Sequence, residues 1–187
     1  MLVARSSLVV LAVMASSLVP TQARAQLATS LGVAAGASVP MGNFGDRTST
    51  GYHLMLTLGV KAPLVPISLR AEGMFNEFDY NSDRGSSGGA SFRAVEKSAR
   101  VWGATANAAL SSSGLLGPYV IGGIGVYRVT EAVPIFGGTQ SANDFGANFG
   151  GGVRFELSGF SAYAEARYHW VGDTDVRLLP ITFGLSF

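Results

Sequence analysis

The last ten residues, LLPITFGLSF (residues 178–187), alternate between two kinds of side chain. From position 179 onward every odd residue is apolar, while the even positions hold proline, threonine, glycine and serine. A period of two is typical of a β-strand whose two faces meet different surroundings. Chain ends are usually frayed and polar, so a strand that finishes on Phe187 predicts that the terminus is itself part of a sheet.

The opposite end of the chain predicts export. Arg5 precedes the apolar run LVVLAVMASSLV (residues 8–19), and Ala23 and Ala25 form a small-residue cleavage site. This order is typical of a secretory signal peptide, and the run is shorter than the about 20 apolar residues that a spanning helix needs. We predict a cleaved signal peptide at residues 1–25 and one domain at residues 26–187. Because the chain has no cysteine, a lipoprotein anchor and a disulfide framework are both excluded.

Charged residues are scarce for a soluble domain. Asp, Glu, Lys and Arg make up 13% of the chain, compared with about 25% in an average soluble protein. The formal net charge is +1, so no strong basic field favours nucleic acid. No run of 18 or more apolar residues follows the signal peptide. An exported, charge-poor chain of this kind favours a closed β-barrel, which satisfies all its backbone hydrogen bonds inside a bilayer.

Eight strand-like segments follow the signal peptide, most of them close to the about 9–11 residues of a tilted membrane-spanning strand. They cover residues 29–39, 51–60, 67–78, about 96–110, 118–129, 144–157, 161–171 and 178–187. The alternation does not decide which face of the fourth and fifth segments points outward. The predicted fold is all-β: an eight-stranded antiparallel up-and-down transmembrane β-barrel preceded by a cleaved signal peptide.

The connections alternate in length, being longer after the odd-numbered segments and short after segments two, four and six. Outer-membrane barrels have long loops at the cell surface and short turns in the periplasm. Aromatic residues near both ends predict two interfacial girdles. The predicted girdle residues are Tyr52, Tyr127, Phe145 and Trp170 beside the long loops, and Tyr119, Phe155 and Phe187 beside the short turns.

With these features the chain resembles the small eight-stranded outer-membrane barrels of the OmpA/OmpX-like superfamily. The resemblance covers nearly all of residues 26–187 and rests on the segments LRAEGMF, PYVIGGIGVY, AEARYHW and ITFGLSF. It implies a monomer in the outer membrane of a Gram-negative (diderm) bacterium, in contact with outer-membrane lipids and lipopolysaccharide. It also implies that Phe183, Leu185 and Phe187 form the signal that the barrel assembly machinery recognises.

Opposite charges recur two residues apart on the less apolar face of three segments. The pairs are Arg70 with Glu72, Arg154 with Glu156, and Glu165 with Arg167, and His169 shares the face of the last pair. A spanning strand holds charges at low cost only where they point into the lumen and find partners. Because side chains nearly fill an eight-stranded barrel, we favour a structural network over a gate or an ion path.

The two histidines, His53 and His169, both have inward parity. Some members of the superfamily are lipid A-modifying enzymes with a His and a Ser or Asp partner near the outer rim, and His169 lies near Asp173 and Asp175. The stretch RYHWVGD does not match the deacylase pattern, and an inward histidine does not face lipid. We therefore expect His169 to be a hydrogen-bonding group in the lumen and predict no catalytic residues.

Two other kinds of site are also not expected. Acidic loop residues such as Asp46 and Asp144 lack the ligand number and the glycine of a Ca²⁺ loop. The glycine-rich stretches IGGIG and FGGG lack the strand-to-helix turn and the GK[ST] of a phosphate loop. We predict no metal and no cofactor.

The function predicted from the sequence is that of a non-enzymatic integral outer-membrane protein, which serves envelope structure or surface interaction through its extracellular loops. The longest loops are expected at about 80–95 and 130–143, and they hold Tyr80, Arg84, Phe92, Arg93, Ile135 and Phe136. The alternatives are a narrow or gated porin-like channel, a lipid A-modifying enzyme, and a secreted lipocalin-like binding barrel. A lipocalin is apolar inside and polar outside, which the low charge count and the inward Arg/Glu pairs disfavour.

Overall fold

A computed structural model describes residues 28–61, 66–80, 98–112, 114–133 and 138–187. The predicted signal peptide, with Ala23 and Ala25, lies outside these ranges, as do Arg84, Phe92, Arg93, Ile135 and Phe136 of the predicted outer loops. In the described ranges, no helix is long and apolar enough to cross a membrane.

Eight antiparallel strands form one closed barrel, in which every strand pairs with its sequence neighbours and β1 pairs with β8. The strands are β1 (Ala28–Met41), β2 (Gly51–Lys61), β3 (Ile67–Asp79), β4 (Ser98–Ser111), β5 (Leu116–Val133), β6 (Gly138–Leu157), β7 (Phe160–Val171) and β8 (Val176–Ser186), and a four-residue helix, α1 (Gly42–Gly45), follows β1. The predicted up-and-down barrel is confirmed.

The C-terminal segment completes the barrel. Phe187 donates its backbone N–H to the carbonyl of Leu31 at 2.8 Å and accepts from the Leu31 N–H at 2.9 Å, which extends the β1–β8 ladder to the last residue. The Phe187 ring is 62% exposed and lies 6.2 Å from the ring of Phe160, between centroids. Phe183 and Leu185 share its outward face. The recognition of these residues by the assembly machinery stays a prediction.

Apolar side chains cover the outside of the barrel and polar ones line its inside. Leu, Ile, Val, Phe or Trp side chains of all eight strands are exposed, while Arg, Glu, Asn, His and Thr side chains on the opposite parity are buried. On β4, Trp102 and Leu110 point outward, and on β5, Ile124 and Val126 do so. This distribution excludes the lipocalin-like alternative, which requires the opposite arrangement.

The girdle prediction was wrong for two tyrosines. Tyr52, Phe145 and Trp170 are exposed on the outer surface as predicted, but Tyr119 and Tyr127 are buried in the lumen. The parity of β5 puts both tyrosines on the inward face. Glycines of the neighbouring strands leave room for their rings, because a Cβ at Gly103 or Gly146 would crowd Tyr127 and one at Gly152 would crowd Tyr119.

The third outer loop is mostly strand, which corrects the prediction of a loop at residues 130–143. β5 and β6 continue as a two-stranded hairpin, with Thr130 opposite Ser141 and Val133 opposite Gly138. The Thr130 and Ser141 hydroxyls are 3.0 Å apart. The sequence analysis missed this extension because outside a bilayer a hairpin does not need an apolar face.

Glycine at position 123 allows β4 and β5 to approach in the lumen. A Cβ at Gly123 would overlap Asn107 Oδ1 and the Ala106 carbonyl oxygen, whereas one at Gly73, on the outward face of β3, would meet nothing within 4 Å. We expect Gly123→Ala to lower the free energy of unfolding by about 1–3 kcal/mol because of overpacking, and Gly73→Ala to change it by less than about 1 kcal/mol. Urea unfolding in lipid vesicles measures both, and equal effects would contradict this account of the close approach.

Candidate functional site in the barrel lumen

Four charged side chains from β3 and β7 form a closed ring in the lumen, which we call the lumen quartet: Arg70, Glu72, Glu165 and Arg167. Each carboxylate contacts both guanidinium groups. Arg167 lies 2.6 Å from an oxygen of Glu72 and 2.6 Å from one of Glu165, and Arg70 lies 3.0 Å from Glu165 and 3.5 Å from Glu72. All four side chains are at most 6% exposed. Two positive and two negative charges therefore neutralise each other away from solvent.

Neutral side chains satisfy much of the remaining hydrogen-bonding capacity of the quartet. Asn107 Nδ2 donates to Glu72 at 2.8 Å, and Tyr119 OH donates to Glu165 at 2.8 Å. The Arg70 guanidinium lies 5.2 Å from the ring centroid of Tyr119 and 5.5 Å from that of Tyr163, which adds cation–π attraction. The sequence analysis missed these three neutral partners. Inward parity was available as a signal for Tyr163, but for Asn107 and Tyr119 it depended on the undecided facing of β4 and β5.

The predicted pair Arg154 and Glu156 does not join the quartet. In the β6–β7 ladder, Gly152 lies opposite Glu165, so Arg154 and Glu156 lie two and four residues further toward the periplasmic end. Their charged groups are 3.6 Å apart, and the Glu156 side chain is 52% exposed. Arg154 instead lies over the Tyr119 ring, at 5.7 Å from its centroid.

Both histidines point into the lumen and are hydrogen bonded. His169 Nδ1 lies 2.9 Å from Tyr127 OH. His53 Nε2 lies 2.9 Å from Thr182 Oγ1, and its Nδ1 lies 3.3 Å from Ser38 Oγ. The Ser38–His53 contact brings together a hydroxyl and an imidazole, the groups of a nucleophile and its base. Because Ser38 is 0% and His53 2% exposed, no substrate has access to this pair.

The acidic loop residues serve local structure. Asp175, expected near His169, accepts a hydrogen bond from Asn43 at 3.0 Å and pairs with Arg177 at 3.0 Å. Asp144 accepts from the backbone N–H of Thr174 at 2.8 Å and so holds the β7–β8 turn. In the part of the chain that the structure describes, no group of three or more His, Asp or Glu side chains forms a metal site.

An apolar plug fills the outer end of the lumen. Helix α1 places Phe44 inside the barrel, where its ring packs edge-on against Phe78 at 5.3 Å between centroids. The other plug residues are buried side chains of four strands: Val101, Tyr127, Val129, Val171, Val176 and Leu178. The sequence analysis missed the plug, although an isolated Phe44 in the polar stretch MGNFGDR was a signal for it.

The lumen is therefore closed in two layers. The apolar plug covers the outer end, and the neutral, hydrogen-bonded quartet lies below it with its charges buried. Such an interior holds the strands together and offers an ion neither hydration nor an unpaired counter-charge at this level.

Comparisons with known proteins agree with this architecture. The family model described as outer membrane protein beta-barrel domain matches residues 8–187. The fold is similar to that of Neisserial surface protein A, with a TM-score of 0.65 and 12% identity over 86% of this chain and 97% of that one. It is also similar to that of a major outer membrane protein from Thermus thermophilus, with a TM-score of 0.59 and 14% identity over 86% and 98% of the two chains. No curated protein sequence matches. This chain thus belongs to the outer membrane protein beta-barrel domain family and is a small outer-membrane β-barrel of the OmpA/OmpX type.

Proposed function

We propose that the protein is a monomeric, non-enzymatic scaffold of the outer membrane, which serves envelope structure or surface interaction through its extracellular loops and does not conduct solutes. The observation that carries this proposal is the closed lumen, in which the quartet and the apolar plug are buried together. Lipopolysaccharide and other outer-membrane lipids would contact its apolar outer face.

A conducting state would be energetically costly. Ions could pass only if the ion pairs of the quartet separated and the apolar side chains around Phe44 left the outer end. Leaving one buried charge without its partner costs about 3–5 kcal/mol, and several such contacts would have to open together. The lumen therefore favours a scaffold over the narrow or gated channel.

The β5–β6 hairpin is the part of the scaffold suited to a partner. Beyond Thr130 on β5 and before Gly146 on β6, these strands lose their pairing with β4 and β7 and pair only with each other. Their tip therefore extends past the neighbouring strands. The structurally similar Neisserial protein is by its name a surface protein, which supports a role at the cell surface.

Conductance tests the closed lumen. We expect the protein reconstituted in planar lipid bilayers to show no stepwise conductance at salt concentrations at which porins conduct. Insertion is checked on the proteoliposomes from which the planar bilayers receive the protein, by the mobility difference between boiled and unboiled samples on a detergent gel. Regular conductance steps from preparations that pass this check would establish the channel instead.

Shortening the β5–β6 hairpin tests the role of the outer surface. A variant in which Asn-Gly replaces residues 132–139 keeps the Glu131–Gln140 pair and closes the hairpin with a favoured turn. We expect this variant to insert and to show normal heat-modifiability, because Ala132 and Val133 pair with Thr139 and Gly138 and with no other strand.

The shortened variant is then expressed in a strain that lacks the gene. If the hairpin binds a partner, the variant fails to restore the envelope or adhesion phenotype that the full chain restores. Full restoration would limit the proposed role to envelope structure. Loss of insertion would contradict the view that the hairpin is independent of the barrel.

A further inference from the structure

The periplasmic end of the lumen contains an open cavity of about 330 Å³, which we call the periplasmic cavity. Small side chains on β1, β2 and β3 line part of it, among them Ser30, Thr57 and Ser68. The long polar lining side chains include Arg70 of β3, Arg154 of β6 and Tyr163 of β7. The cavity therefore lies where small inward residues of three neighbouring strands leave space beside long side chains.

Buried polar atoms without a hydrogen-bond partner concentrate at this cavity. In the described ranges there are six such side-chain atoms, and five of them belong to lining residues: Thr57 Oγ1, Ser68 Oγ, Arg70 Nε, Arg154 Nε and Tyr163 OH. Ser68 and Arg70 are both 6% exposed. Buried polar groups are nearly always hydrogen bonded, so five such atoms around one cavity indicate a shared partner.

The chemistry of these atoms specifies an acceptor. The two guanidinium Nε–H groups can only donate, and the three hydroxyl groups can donate as well. Charge agrees with this, because Lys61, Arg70 and Arg154 line the cavity, and Glu156 is the one acidic residue among its described lining. The charge of Arg70 itself is balanced within the lumen quartet. Because Glu156 pairs with Arg154, the lining side chains carry an excess of one positive charge, that of Lys61, together with an excess of donors.

From these observations we infer that the periplasmic cavity binds a phosphate group, whose oxygens accept hydrogen bonds from Arg70 Nε, Arg154 Nε and Ser68 Oγ. Planar arginine groups and hydroxyl groups are suited to phosphate oxygens. Exposed Leu157, Phe160 and Phe187 also line the cavity, which places its mouth at the membrane interface. The phosphate group can therefore come from free phosphate in the periplasm or from a phospholipid headgroup. Because the lumen above is closed, the site binds the group and does not pass it on.

Arginine side-chain NMR tests this inference on the whole folded protein. The protein is labelled with ¹⁵N-arginine and dissolved in uncharged alkyl glycoside micelles. Orthophosphate is added in one titration, and chloride at the same ionic strength is added in a parallel control titration. We expect saturable shifts of the Arg70 and Arg154 Nε–H signals. Shifts no larger than those in chloride, or equal shifts at Arg100 on the outer rim, would overturn the inference.

Two variants and one control locate the site. Arg154→Gln is expected to weaken phosphate binding about tenfold or more, because it removes a charge-assisted hydrogen bond. Ser68→Ala removes a hydroxyl without a partner in the protein, so it should fold normally and bind phosphate more weakly. Arg100→Gln, which removes an exposed arginine paired with Glu77, should bind as the wild type does. Unchanged affinity in both cavity variants would contradict the proposed site.

The source of the phosphate group is decided by comparing orthophosphate with glycerophosphoethanolamine, which carries the phosphodiester of a phospholipid headgroup. Tighter binding of the phosphodiester assigns the site to a phospholipid headgroup, and tighter binding of orthophosphate assigns it to free phosphate. Either result supports the site, whereas the absence of saturable binding by both compounds rejects it. The result does not depend on whether the β5–β6 hairpin binds a partner.

Discussion

Replacing Arg167 with methionine is expected to lower the free energy of unfolding by about 3–5 kcal/mol. Arg167 contacts both carboxylates of the quartet at 2.6 Å and is 3% exposed. Methionine keeps much of the side-chain volume but leaves one net negative charge among Arg70, Glu72 and Glu165. That charge has no solvent to stabilise it, so the loss exceeds that of an ordinary ion pair. Reversible urea unfolding in phosphatidylcholine vesicles, followed by the fluorescence of the lipid-facing Trp102 and Trp170, measures the change.

Arg100→Met is the matched control for this variant. Arg100 pairs with Glu77 at 3.0 Å, a distance similar to those in the quartet, but its side chain is 54% exposed. Exposed pairs contribute about 0–1 kcal/mol, so the control should unfold nearly as the wild type does. Similar losses in the two variants would mean that the lumen is hydrated, which would favour the channel.

A compensating variant separates charge from packing. Glu72→Gln combined with Arg167→Met leaves Arg70 and Glu165 as a neutral pair, 3.0 Å apart. The double variant should therefore be more stable than Arg167→Met alone. A double variant that is no more stable than the single one would show that Arg167 acts through packing.

Replacing Leu56 with arginine is the second change with a large expected effect. Leu56 is the central residue of β2, points outward and is 63% exposed. In a soluble protein such a substitution would change stability little. At the middle of a bilayer it is expected to cost about 2–4 kcal/mol, because the guanidinium group must leave water or distort the membrane. The same unfolding measurement in vesicles detects this loss.

Leu115→Arg is the control for the lipid environment. Leu115 is 73% exposed, more than Leu56, but it lies in the short β4–β5 connection at the periplasmic edge. Near an interface the cost falls to about 0–1 kcal/mol. If Leu56→Arg were tolerated as well as Leu115→Arg, the outer face of β2 would not be in contact with hydrocarbon.

Several features of this protein follow from local sequence. The alternation in segments such as GYHLMLTLGV and ITFGLSF identifies strands and their outward faces, because a period of two depends only on neighbouring residues. Low charge and the inward Arg70, Glu72, Glu165 and Arg167 were enough to predict a membrane barrel with a charged lumen. The family match and the closed eight-stranded barrel confirm the fold that these local patterns predicted.

Strand facing was not predictable where both parities carry small residues. β4 has Ala104 and Ala106 on its outward face and Ala99 and Ala109 on its inward face, so alternation contains little information there. The glycines of β5 likewise leave the alternation with little information, so the sequence did not show that Tyr119 points inward. Only pairing with neighbouring strands decides such segments, since a shift of one residue exchanges the two faces.

Sequence alone determined that this protein is a charge-poor chain of eight alternating strands with opposite charges on its inward faces. Tertiary structure alone decided which of those charges meet. Glu72 and Arg167 are 95 residues apart in the chain and 2.6 Å apart in the lumen, while Arg154 and Glu156 lie outside the quartet. The physical reason is that barrel closure and register set the level of every inward side chain along the axis. Barrel closure and register depend on all eight ladders together, so they cannot be read from any single segment.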